Sequence, residues 1–210
     1  MNETWTWVAA VTTVSMLVLY EVLLLWLQQQ HPERFARSVH ASLREEWFQA
    51  VSVTPGSEIL AVQTLRNSLM SATMLASTAV LGLMGTVTLT APSLYASFAQ
   101  FHTVTQVMTP RLLLELVLLG LLFTSLVSTV MSVRFYSHAS FIGALPVGSQ
   151  ARLRWSDSGV AYVRKAGLLY SVGLRHLLLV MPVVAALLAP VAGPPAAVVV
   201  AVALYSFDHV

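Results

Sequence analysis

The chain has 210 residues, of which 57% are hydrophobic and only 10% charged. Soluble domains carry about 25% charged residues, so this composition excludes an ordinary water-soluble fold and makes the lipid bilayer the first partner. A net charge of +2 gives no basis for nucleic acid as a partner. The absence of cysteine excludes disulfides, thiolate metal sites, iron–sulfur clusters and cysteine nucleophiles.

The first apolar run is Trp5 to Leu27, broken by one charge, Glu21. At 1.5 Å per residue it covers roughly 30 Å, enough for a bilayer core. No Lys or Arg precedes it, so it reads as a retained span rather than a secretory signal. Trp5 and Trp7 at one end and Trp26 at the other suit interfacial aromatic belts.

From His31 to Val51 the pattern changes. Phe35, Val39, Leu43 and Trp47 recur every four residues, with Phe48 and Val51 widening the face, while Glu33, Arg34, Arg37, Arg44 and Glu45 fall largely elsewhere. This is an amphipathic helix, too charged to span, lying at the interface or on a bundle, or docking a partner. Pro32 suits its start, and Thr54-Pro55-Gly56-Ser57 turns the chain after it.

A second span is expected over Asn67 to Leu89. Ser68, Ala72, Ala76, Ala79, Gly82 and Thr86 give it a narrow stripe of small residues, the surface along which helices approach closely in lipid. Ala91 to Pro110 reads as a loop. The third span, Leu112 to Val133, opens on Arg111 and Glu115, whose i, i+4 spacing lets them pair, and carries Ser125, Ser128 and Ser132 along one face. Arg134 to Lys165 reads as a polar connection. The apolar stretch that follows divides at Pro190 and Gly193-Pro194-Pro195 into a fourth span, Gly167 to Ala189, with Pro182 inside it, and a shorter fifth, Pro194 to Phe207. The alternative is four spans with a re-entrant last segment. No internal repeat supports an inverted-repeat transporter.

The loops after spans one and three hold nine of the eleven Lys and Arg residues. By the positive-inside rule both face the cytoplasm and the N-terminus faces outward. Ionisable groups near membrane depth are costly and are candidate functional residues. Glu21, Arg66 with Asn67, Arg134 with Tyr136 and His138, and Arg175 with His176 all fall toward the cytoplasmic ends of their spans. Arg175 stays charged at any working pH, and Glu21 is the acid at comparable depth, so the two are expected to pair. The cluster fixes helix register or lines a cytoplasm-facing cavity for a small anion, a lipid headgroup or a proton. No catalytic residue can be named. No span carries the paired histidines of a membrane haem, and no metal-ligand spacing, Gly-x-Ser-x-Gly setting or phosphate-binding glycine loop occurs, so no cofactor is expected.

Three segments together resemble a known family: Arg66-Asn67-Ser68 with Met70-Ser71-Ala72 and Leu75-Ala76-Ser77; Arg134-Phe135-Tyr136-Ser137-His138; and Gly173-Leu174-Arg175 with Pro182 beyond. In order and spacing they are similar to the bacterial and plant membrane proteins grouped as domain of unknown function 599. The resemblance covers most of the chain and implies a small helical membrane protein whose polar positions map onto Arg66, Asn67, Arg134, Tyr136, His138 and Arg175. The expected fold is therefore an all-α inner-membrane bundle, a single domain of four or five transmembrane helices plus one amphipathic helix. The expected role is a structural or accessory component that packs against a membrane partner or a second copy. The alternative is a small carrier or channel-like protein with an anion-binding pocket around Arg175. A lipid-modifying enzyme is the third reading, without a reactive group to support it.

Overall fold

A computed structural model describes residues 3–30, 35–99 and 108–208. Among these residues the regular structure is helical: α1 (Glu3–Gln30), α2 (Ala36–Val53), α3 (Glu58–Ala99), α4 (Pro110–Gly143), α5 (Gln150–Leu188) and α6 (Gly193–Asp208), with a 3-10 turn at Pro190–Ala192 before α6. Five helical segments are long and apolar enough to cross a membrane, the last covering Pro190–Asp208. Pro194 and Pro195 occupy the first turn of α6, where their missing N–H groups leave no hydrogen bond unmade.

Three helices outrun the lengths expected of them. α3 continues through Pro92 to Ala99, into the segment read as a loop; the rest of that segment, 100–107, lies outside the described residues. Proline removes a single donor, whereas stopping the helix inside an apolar segment would strand several backbone groups without water. The polar connection expected from Arg134 to Lys165 shrinks to 144–149, carrying Pro146 and Gly148, the latter at φ +82°. The reason is an apolar stripe hidden among the charges: Tyr136, Ala139 and Ile142 on α4, and Val163 and Ala166 on α5, are all buried. Charge counting reads a loop where helical periodicity continues.

The helices pack as two compact units, and α3, α4 and α5 contribute to both. One unit holds α1, α3 from Ala79, α4 up to Thr124, α5 from Arg175, and α6 up to Phe207. Its core is aliphatic, with Leu17, Leu118, Leu122, Leu179 and Val183 at its centre. The close approaches here are set by glycine. A Cβ on Gly193 would overlap Thr13 Oγ1 and stand 2.6 Å from Ala186 Cβ, so the start of α6 sits directly on α1 and α5. A Cβ on Gly82 would meet Leu122 at 3.0 Å, and Ala79 beside it is buried, as the small-residue stripe on α3 predicts.

The other unit holds α2 with the remaining parts of α3, α4 and α5. Its core combines Phe48, Leu65, Tyr136, Ile142 and Val163. Phe48 is wholly buried and fills the space over Gly159 of α5. The buried face of α2 is Ala41, Phe48, Val51 and Ser52, so it is turned relative to the expected Phe35–Trp47 stripe. Val39 and Leu43 from that stripe are exposed, while Phe35 just before the helix is buried. α4 and α5 are tied by two hydroxyl-to-carbonyl bonds: Ser125 Oγ donates to Gly173 O and Ser132 Oγ to Ala166 O, each at 2.8 Å.

Candidate functional site

Glu21, Arg175 and His176 belong to the first unit. Glu21 is half-buried on α1, and its Oε1 is enclosed with no hydrogen-bond partner. Arg175 is 5% exposed and is held by interactions of its own, as is His176. The expected Glu21–Arg175 pairing does not form through Glu21 Oε1, which accepts no hydrogen bond. Gln28, two turns along α1 from Glu21, likewise has an enclosed Nε2 without a partner.

Arg66, Asn67, Arg134, Tyr136 and His138 belong to the second unit. Arg66 and Asn67 lie on an exposed face of α3, and Arg134 and His138 on an exposed face of α4. His138 packs at a tilt against Tyr162 (ring centroids 5.9 Å apart), Tyr162 against Phe135 (5.7 Å), and Lys165 Nζ lies 5.8 Å from the Phe135 ring centre. These contacts form a surface aromatic ladder ending in a cation. Of the five, Tyr136 alone points inward, with 4% of its surface exposed.

Tyr136 forms part of the floor of a pocket of about 320 Å³ that has no signature in the sequence. Leu43, Arg44 and Trp47 of α2, Thr64, Leu65 and Ser68 of α3, Tyr136 of α4 and Val163 of α5 line it. Thr64 and Ser68 stand one turn apart on the same face of α3. The Arg44 guanidinium lies against bare α5 backbone: a Cβ on Gly167 would fall 2.5 Å from Nη1 and 2.7 Å from Cζ. From there the guanidinium acts electrostatically on Tyr136, whose hydroxyl also meets Ser68. Neighbouring Glu45 pairs instead with Arg164, Oε1 to Nη1 at 3.1 Å. Ser68 Oγ donates to the Thr64 carbonyl at 3.2 Å, so the arrangement is one half-buried cation with the Thr64 and Tyr136 hydroxyls in a mostly apolar hollow, a chemistry suited to an anion. The sequence places Arg44 on the polar side of α2; only the tertiary approach of Gly167 turns it inward.

Two further polar groups are buried for structural reasons. Arg152, a loop charge by sequence, is 1% exposed. It donates to the Ile142, Leu145 and Val51 carbonyls and to Ser52 Oγ, with its Cζ 5.7 Å from the Phe48 ring centre. The Ile142 and Val51 carbonyls lie in the last turns of α4 and α2, and Leu145 follows α4, so one cation serves the C-termini of two helices, where the helix dipole favours positive charge. Glu115, 2% exposed, accepts from Arg111 Nε at 2.9 Å, as the i, i+4 spacing predicts, and from Ser93 Oγ at 2.7 Å. Among the described residues, no group of three or more His, Cys, Asp or Glu side chains could hold a metal ion.

An all-helical protein with five apolar segments of spanning length, its polar interior committed mostly to helix contacts, is of the integral membrane class. Within that class the chain belongs to the family described as "Protein of unknown function, DUF599", whose model matches residues 8–210. No curated protein and no solved structure matches the chain.

Proposed function

We propose that the protein is a structural or accessory component of the bacterial inner membrane, with five spans, its N-terminus outside and α2 on the cytoplasmic side. The observation that supports this reading is where the buried polar side chains spend their hydrogen bonds. Ser125 and Ser132 bind backbone carbonyls of the neighbouring helix, Arg152 binds the ends of two helices, and Glu115 is held by Ser93 and Arg111. In lipid, where no hydrophobic force drives helices together, such bonds and close glycine contacts are what fixes a bundle. The partner is a membrane protein or a second copy, met by outward apolar side chains such as Val198, Val199 and Val202 of α6.

The competing reading is a carrier for a small anion built on Arg175. Purified protein in proteoliposomes decides between them. The accessory role gives no anion flux above protein-free vesicles, while a photo-crosslinker at Val199 in native membranes gives one protein adduct of fixed size. Flux that Arg175→Ala abolishes would establish the carrier and overturn the accessory role.

A further inference from the structure

We propose that the Arg44 pocket binds the phosphate of an anionic membrane phospholipid, and that α2 is held at the membrane surface through that lipid.

The first argument is the unmet charge. Among the described residues the Arg44 guanidinium makes no hydrogen bond or ion pair; its neighbour Glu45 is taken by Arg164. A half-buried guanidinium with five donors and no acceptor is a site waiting for an oxyanion. Thr64 and Tyr136 add hydroxyls around the same hollow, while Ser68 Oγ donates to the Thr64 carbonyl at 3.2 Å. Phosphate, with its several acceptor oxygens, suits this set, and Arg matches it in planar, two-pronged geometry.

The second argument is shape. The floor is closed, since Leu65 and Tyr136 are almost fully buried, but the rim is open, because Thr64 and Leu43 are exposed. Leu43 and Trp47 make one wall apolar. A soluble anion has no use for that wall, whereas the glycerol and first acyl carbons of a phospholipid lie against it. A volume of about 320 Å³ is at the small end of ligand pockets and suits a headgroup rather than a whole lipid.

The third argument is level. Ser68 is the second residue of the apolar run Asn67 to Leu89, Tyr136 follows the run ending at Val133 by three residues, and Val163 precedes the run beginning at Gly167 by four. Three helices thus put the pocket within about one turn of where their apolar stretches end, which is where lipid phosphates lie. Basic pockets between helices at that level are the usual seat of anionic headgroups. The inference requires membrane insertion but not the accessory role, so the flux experiment and this one fail independently.

The test is native mass spectrometry of the full chain released from nanodiscs of phosphatidylcholine with about one-tenth phosphatidylglycerol. Wild type is expected to retain one phosphatidylglycerol, enriched roughly tenfold over its share of the bilayer, as a single charge-assisted contact provides. Arg44→Gln removes the enrichment. Gly167→Ala, which keeps the charge but pushes the guanidinium aside, lowers it. Arg154→Gln, at an exposed position of α5 outside the pocket lining, leaves it unchanged. Helical content by circular dichroism confirms that each variant is folded; should Arg44→Gln not fold, Gly167→Ala carries the test. No enrichment in wild type, equal retention by Arg44→Gln or Gly167→Ala, or equal loss in Arg154→Gln overturns the proposal. Displacement of the lipid by millimolar glycerol phosphate would show that the pocket serves a soluble phosphate, and overturns the lipid assignment.

Discussion

Glycines in this chain divide into those that another side chain has occupied and those that face open space, and substitution should tell them apart. A Cβ on Gly159 would overlap the Phe48 ring, which is wholly buried and has nowhere to move. Gly159→Ala is expected to cost about 1–3 kcal/mol through overpacking. Gly120 has nothing within 4 Å of its added Cβ, and Gly120→Ala should gain roughly 0.5–1 kcal/mol from helix propensity alone. Thermal unfolding in detergent, followed by intrinsic fluorescence, reads both, with midpoint shifts of opposite sign. Arg152→Ala leaves the carbonyls at two helix ends unpaired in a buried place and should cost about 3 kcal/mol. Arg152→Lys recovers part of that loss, because a single ammonium cannot reach both helix ends as the planar fork does. At this scale the sequence is least legible. Arg44 and Arg152 sit in charge-rich segments and look like solvated surface. What buries them is a bare glycine in one case and two helix C-termini in the other, and neither has a local signature. Tyr136 is legible because a phenol among basic residues at a span end already stands out.

The element scale is where charge and periodicity compete. The spans are readable because apolar runs of about 20 residues have few other uses. Their extensions are not, because Arg134 to Lys165 holds five basic residues and three glycines that mask the buried stripe through Tyr136, Ala139 and Ile142. The pairing of Arg111 with Glu115 is readable from spacing. Depth along a helix says nothing about the direction a side chain faces, so it could not foretell that Glu21 Oε1 is enclosed without a hydrogen bond. The serines of α4 give a prediction at this scale. Ser125→Ala and Ser132→Ala each remove one bond to α5 and should cost about 0.6 kcal/mol, the average for such contacts in membranes. The double variant should lose about twice that, since the sites are two turns apart and share no partner. A midpoint loss well beyond the sum would show that the two bonds act together.

For the whole molecule, the number of spans fixes where the chain ends. Under the proposed topology, five spans with the N-terminus outside, Asp208 is expected on the cytoplasmic side with α2 and the 144–149 connection. The natural absence of cysteine makes this directly measurable. Single-cysteine variants Glu3→Cys, Ser149→Cys and Asp208→Cys should react with a membrane-impermeant maleimide in a set order: the first in intact cells, the other two only after the membrane is opened. Labelling of position 208 in intact cells would mean that the last segment does not cross. The count of five is present in the sequence as one of two readings. The prolines before α6 could open a span or a re-entrant turn, and the observed continuous helix from Gly193 through Asp208 is what makes that segment long enough, with its preceding turn, to cross.

The two serine bonds between α4 and α5 have a kinetic consequence. Ser125 and Ser132 are seven residues apart, and so are their acceptors Gly173 and Ala166, in opposite order. The pairs therefore share one register, and sliding α5 along α4 by a single turn breaks both at once while driving Thr129 out of the notch that Gly173 leaves for it. Shear along this seam is opposed at once by both bonds and by the Gly173 notch. Motion in the membrane is therefore expected to carry these parts of α4 and α5 together as one piece, with the slip taken up at other helix boundaries.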